Sequence, residues 1–125
     1  MNIFLLTIDC LREDFVNYEL TPNIMRIAEK GINFKNAISP GPYTRAGVPG
    51  ILTSTYPNQY DEKKTLSNYR PYLPEILQAN GFCTLGFNTN GYLTRLHGYD
   101  RGFDFFFDIF SPNYKNFSYY VKLFK

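Results

Sequence analysis

A chain of 125 residues is the size of one domain or part of one, since domains cluster at roughly 100–150 residues. With 44% hydrophobic and 19% charged residues its composition is globular, and a formal charge of +2 on scattered Lys and Arg is too small to argue for a nucleic-acid partner, so none is expected. The opening apolar run, Ile3 to Ile8, is too short for a signal peptide or a membrane span, which sets the expectation of a cytoplasmic protein with no membrane partner.

In chain order, Asn2 to Ile8 is a near-continuous apolar run without helical period, the pattern of a strand buried on both faces of a parallel sheet. It stops at Asp9, which would place a carboxylate at the carboxyl end of the strand. Thr21-Pro22 opens a predicted helix, with Thr21 as cap, Ile24, Ile27 and Ala28 on one face and Gly31 at its end. Ile32 to Ile38 reads as a second strand. Residues 39–50 hold three prolines and three glycines, a composition that forces an irregular loop. Pro49 is expected in the first turn of a short helix reaching about Ser54, because a deeper proline would break it. A polar stretch follows from Asn58 to about Arg70. Leu73 to Asn80 is a short helix stopped by Gly81, Phe82 to Phe87 a third strand, and Phe103 to Phe110 a fourth. Between them, Asn88 to Asp100 is loop with one helical turn. Tyr114, Phe117, Tyr120 and Val121 give the tail, 111–125, helical spacing.

This order predicts an α/β fold, a mainly parallel sheet flanked by helices, with residues 1–110 as a partial α/β domain and 111–125 as a tail. Cys10 and Cys83 lie far apart beside apolar runs and read as buried free thiols, without the spacing of a zinc site.

Two segments have a composition suited to chemistry: Thr7-Ile8-Asp9-Cys10-Leu11-Arg12, and the Pro/Gly loop with Thr44 and Arg45. A hydroxyl near a helix N-terminus faces unsatisfied amides and a positive dipole end, both of which favour an anion. A threonine alcohol is a poor nucleophile until a metal lowers its pKa, and a strand-end aspartate is a natural ligand for that metal. Taken singly, Asp9 also fits a turn residue, Thr44 a helix cap, Arg45 an exposed side chain, and Arg12 a partner for nearby carboxylates. His97, the lone histidine, reads as a loop residue.

The order of motifs resembles the sulfatase family of the alkaline phosphatase superfamily. The run from Asn2 to Asp14 looks like the sulfatase opening, a hydrophobic strand followed by Asp-x-Leu-Arg-x-Asp. Thr21-Pro22-Asn23-Ile24 through Gly31 to Ala37 is similar to its next helix and strand. Gly41-Pro42-Tyr43-Thr44, followed by Pro49 to Pro57, is similar to its nucleophile loop and helix. Leu73 to Thr84 is similar to the helix and strand after that, and Gly98-Tyr99-Asp100-Arg101-Gly102-Phe103-Asp104 to a stretch typical of sulfatase-like proteins.

The resemblance implies the N-terminal part of an alkaline-phosphatase-like fold, and a hydrolase of sulfate or phosphate esters. Asp9 would be a metal ligand and Thr44 the nucleophile that also touches the metal. The family's x-Pro-x-Arg after the nucleophile is replaced by Arg45-Ala46-Gly47, and Arg45 is a candidate anion clamp on its own chemistry, because a guanidinium matches phosphate geometry. The implied cofactor is a divalent metal ion, calcium, zinc or manganese, and the implied partner an anionic ester substrate. Thr44 stands where sulfatases carry a Cys or Ser that becomes formylglycine, which ties it to the related phosphodiesterases and phosphotransferases. Cys10 takes the place of a second Asp, and Asn88, Thr89 and Asn90 replace a Lys and His. The family draws further ligands from an Asp-His or Asp-Asn pair that is not in these 125 residues, so the chain is expected to be inactive alone. The alternative is a non-catalytic remnant or partner-binding subunit of a split enzyme, paired with a C-terminal half or a second copy.

Overall fold

The computed structural model describes residues 1–59 and 66–110. The tail from 111 and the centre of the predicted polar stretch lie outside them. The chain divides into two compact units, Met1–Ile38 and Ser39–Lys125.

The first unit contains one α-helix, α1, Pro22–Lys30, preceded by a 3-10 turn at Glu13–Phe15. Pro22 at the first helical turn and Gly31 at the C-cap agree with the sequence reading. Thr21 is the N-cap residue but makes no side-chain cap. Its hydroxyl turns back instead, accepting the Asn17 N–H at 3.0 Å and lying 3.1 Å from the Asn17 carbonyl. Asn17 in turn accepts the Leu20 N–H on its side chain, so the residues before α1 are fixed by a local loop network rather than by a cap box.

Neither Asn2–Ile8 nor Ile32–Ile38 forms a strand. An apolar run supplies the side chains of a central strand, but a strand exists only through backbone partners on its flanks. The sheet of the described residues has two strands, both in the second unit. Phe4, 91% exposed, and Leu6, 80% exposed, show what the run lacks without a ladder.

The second unit opens with α2, Thr44–Thr53, which begins five residues before Pro49. The expectation that Pro49 marks the first turn is therefore corrected: it sits inside the helix. An interior proline costs about 3 kcal/mol. Burial of Ala46, Gly47, Pro49, Gly50 and Thr53 offsets that cost. Loop and helix press closely together. A Cβ on Gly50 would meet the Pro40 ring at 2.5 Å, and one on Gly41 would run into Ala46. Only glycines allow the loop to lie across the helix start.

The helix α3, Leu73–Ala79, ends in a Schellman motif. Gly81 takes a left-handed φ of +80°, its N–H reaches the Gln78 carbonyl, and the Phe82 N–H reaches the Leu77 carbonyl at 3.1 Å. The strand β1, Leu85–Phe87, then pairs in parallel with β2, Phe105–Phe107, in the register Leu85 to Phe105 and Phe87 to Phe107. Both are shorter than predicted, but the parallel pairing agrees with the α/β reading. Phe87 and Phe107 stack across the ladder with ring centroids 5.2 Å apart.

The crossover between the strands carries a 3-10 turn, Arg95–His97, and then the Gly98–Asp104 segment, which acts as a clasp. Gly102, with φ +68°, lets the backbone lie against Pro74 and Glu75 at the start of α3. Arg101 donates to the carbonyls of Gly98 and Ser67, pairs with Glu75 at 3.6 Å, and covers the Tyr72 ring. Asp104 accepts the Thr84 N–H at 2.8 Å and the Gln78 amide at 2.8 Å. Beneath the clasp Leu66, Tyr72 and Tyr99 form a core joined by Val48, Leu52, Leu93, Phe103 and Phe106. The Tyr72 hydroxyl donates to the Tyr99 carbonyl at 3.0 Å, and burial raises its pKa.

Both cysteines are free, as expected, but exposed rather than buried. Cys10 occupies a turn at φ +59°, past a run that joins no sheet, and Cys83 lies two residues before β1.

Candidate active site

Thr44 and Arg45 are the first two residues of α2. The Tyr43 carbonyl accepts both the Ala46 N–H at 2.9 Å and the Gly47 N–H at 2.8 Å, which winds the first turn tightly. Tyr43 gives no side-chain cap, and the first turn contains no acidic residue. Its positive dipole end therefore carries no acidic residue of the helix's own. The preceding loop is fixed by Ser39, whose hydroxyl donates to the Gly41 carbonyl at 2.6 Å. Thr44 is half-buried and Arg45 exposed.

The loop that leaves the carboxyl end of β1 comes to the same place. Asn88 extends the ladder, its N–H reaching the Phe107 carbonyl at 2.8 Å. Its side-chain amide donates to the carbonyls of Asn90 and Leu93, and its side-chain oxygen accepts the Asn90 N–H. Asn90 then accepts the Tyr92 N–H at 2.9 Å. These Asx turns fix Tyr92, and the Arg45 guanidinium stands over its ring, 5.8 Å from the centroid. Carboxyl ends of parallel strands are where open α/β sheets bind ligands, so the start of α2 lies at an edge suited to one.

Asp108, at the carboxyl end of β2, is fully buried. It accepts the N–H groups of Arg95 and Phe110 and lies 3.8 Å from the Arg95 side chain, a structural tie for the crossover. Neither Tyr92 nor Asp108 was singled out by sequence. The Asn-x-Asn-x-Tyr spacing carried a signal for the first, because paired Asx residues fix the chain that follows them. His97 closes the 3-10 turn rather than lying in open loop, with Nδ1 3.0 Å from the Thr94 hydroxyl.

Asp9 belongs to the first unit, in a turn closed by the Leu11 N–H on the Ile8 carbonyl. The thiol of Cys10 lies 3.8 Å from its carboxylate. Arg12 forms a two-point ion pair with Asp14, 2.6 Å at its shorter contact, which gives Arg12 the structural role expected of it.

A family model described as Sulfatase matches residues 2–123. The chain belongs to the sulfatase family. No curated protein and no solved structure gives a significant match. Membership makes it a sulfatase-like hydrolase in family terms, and enzymes of this family typically use a divalent metal ion. Among the described residues no three of His, Cys, Asp and Glu gather around one point, and a hard divalent cation needs about six oxygen donors.

Proposed function

We propose that this sulfatase-family chain carries the nucleophile and anion-binding part of a sulfate- or phosphate-ester hydrolase. Thr44 takes the position of the Cys or Ser that sulfatases convert to formylglycine, and acts as an unmodified alcohol. Its Oγ1 gives up its proton to solvent and forms a bond to sulfur or phosphorus, while the ester oxygen leaves with the electron pair of the broken bond and takes a proton from solvent. Water then displaces Thr44, losing a proton as the Thr44 oxygen regains one. Arg45 binds an equatorial oxygen of the transferred group, for which a guanidinium is well matched. Asp9 would hold a divalent metal ion as one of its oxygen donors. The two-stranded parallel sheet with helices around it is, on this reading, part of an alkaline-phosphatase-like fold.

The observation that carries the proposal is the placement of Thr44 and Arg45 at the start of α2. The dipole and amide groups there favour a tetrahedral anion. A single carboxylate holds a divalent cation weakly, so on this reading the chain by itself turns over little or no ester. The experiment is a paired one on the purified chain. Inorganic phosphate and sulfate are titrated while the backbone amide resonances of residues 44–47 are followed by NMR. Aryl phosphate and aryl sulfate hydrolysis is measured with calcium, manganese or zinc present. Saturable shifts at residues 44–47, weakened in Arg45→Ala, support the anion site, and unmoved resonances refute it. Fast hydrolysis lost in Thr44→Ala would refute the expected inactivity while confirming the nucleophile.

A further inference from the structure

Resting on the reading of Arg45 as an anion clamp, we propose that Tyr92 is a positioning residue that holds the Arg45 guanidinium at the start of α2. A free arginine side chain samples many rotamers, and fixing them costs affinity each time an anion binds. An aromatic face beneath the guanidinium removes part of that cost in advance, because stacking leaves the N–H groups in the guanidinium plane directed outward.

The geometry is built from two sides. The Arg45 backbone is fixed in the tight first turn of α2, and the loop before it is held by Ser39 and by the contact of Gly41 with Ala46. The Tyr92 backbone is tied through Asn90 and Asn88 to the carboxyl end of the ladder, where Asn88 meets the Phe107 carbonyl. The ring and the guanidinium meet 5.8 Å apart, within cation–π range. Tyr92 is 57% exposed, so the ring is not a core element. The same holds for Arg45, which is exposed on the other side of the contact. A large aromatic placed outside the core, by a loop this closely bonded, gives more to the side chain it supports than to the fold.

The test uses the full chain and inorganic phosphate as the probe, with four variants: Arg45→Ala, Tyr92→Phe, Tyr92→Leu, and the double variant Arg45→Ala with Tyr92→Leu. Phosphate affinity is read from NMR titration, and the Arg45 side-chain Nε–H resonance reports the ring above which it lies. An exposed cation–π contact corresponds to about two- to fivefold in affinity. Tyr92→Phe is expected to keep both the affinity and the Nε–H position. Tyr92→Leu is expected to weaken phosphate binding by about that factor and to move the Nε–H resonance out of its ring-current position, while thermal unfolding stays unchanged. The double variant should bind no more weakly than Arg45→Ala alone. If Tyr92→Leu binds phosphate as the parent does while Arg45→Ala is weakened, the positioning role is overturned and the anion clamp stands. If Arg45→Ala itself binds as the parent does, the clamp fails and the role of Tyr92 fails with it.

Discussion

Adding one methyl group to Gly102 isolates the contribution of the clasp. At φ +68° an alanine carries the left-handed penalty of about 1–2 kcal/mol. Its Cβ would also fall 2.6 Å from the Pro74 carbonyl carbon and against the Glu75 backbone, which cannot rotate away as a side chain can. Overpacking of that kind adds about 1–3 kcal/mol. Loss of unfolded-state freedom returns about 0.4–1 kcal/mol, leaving a net loss near 3 kcal/mol. Gly81 is the internal control. Its φ is +80°, but nothing lies within 4 Å of a Cβ built there, so Gly81→Ala should cost only about 1 kcal/mol. Urea unfolding followed by far-UV circular dichroism suits a chain without tryptophan. The two midpoints should separate by an amount equivalent to about 2 kcal/mol at unchanged slope. Equal losses would refute the reasoning, because the backbone contact of Gly102 would then contribute nothing.

Replacing Tyr72 by Phe removes the buried hydroxyl that donates to the Tyr99 carbonyl, and should cost about 0.5–1.5 kcal/mol in the same assay. Arg101→Lys cannot reach Gly98, Ser67 and Glu75 together. It should cost about 1–2 kcal/mol, with the loss persisting in high salt because two of the three contacts are carbonyl hydrogen bonds. Asp104 has its pKa lowered from 3.8, first by the Thr84 amide and then by the Gln78 and Thr84 side chains. The unfolded chain therefore binds the extra proton more readily. Its stabilisation is complete above the ordinary carboxylate value and disappears as pH falls through the lower folded value. Asp104→Asn should flatten that acid limb of a stability–pH curve, and an unchanged limb would show that another carboxylate controls it.

Local chemistry made much of the second unit legible. The stop of α3 was readable from Gly81 because a Schellman turn needs a residue that tolerates positive φ. The parallel pairing of β1 and β2 agrees with the mainly parallel sheet implied by the alternation of strands and helices. The first unit was less legible, because Asn2–Ile8 has the side chains of a central strand and only a partner backbone makes it one. The start of α2 was misplaced for a related reason. Proline propensity pointed to Pro49 as an opening residue, whereas the burial of Ala46, Gly47 and Gly50 extends the helix back to Thr44. Of the candidate site, the residue types at 44 and 45 were readable. The ring of Tyr92 beneath Arg45 was not, since it depends on where two separate loops meet.

Pro49 also interrupts the hydrogen-bond ladder of α2. Lacking an N–H, it cannot bond the Arg45 carbonyl, and its ring crowds that same oxygen. The Thr53 hydroxyl bonds back to the Pro49 carbonyl at 2.6 Å, a contact that bends helices further. The turn bearing Thr44 therefore keeps its seat through the burial of Ala46 and Gly47 and the loop pressed against them, more than through the helical ladder behind it.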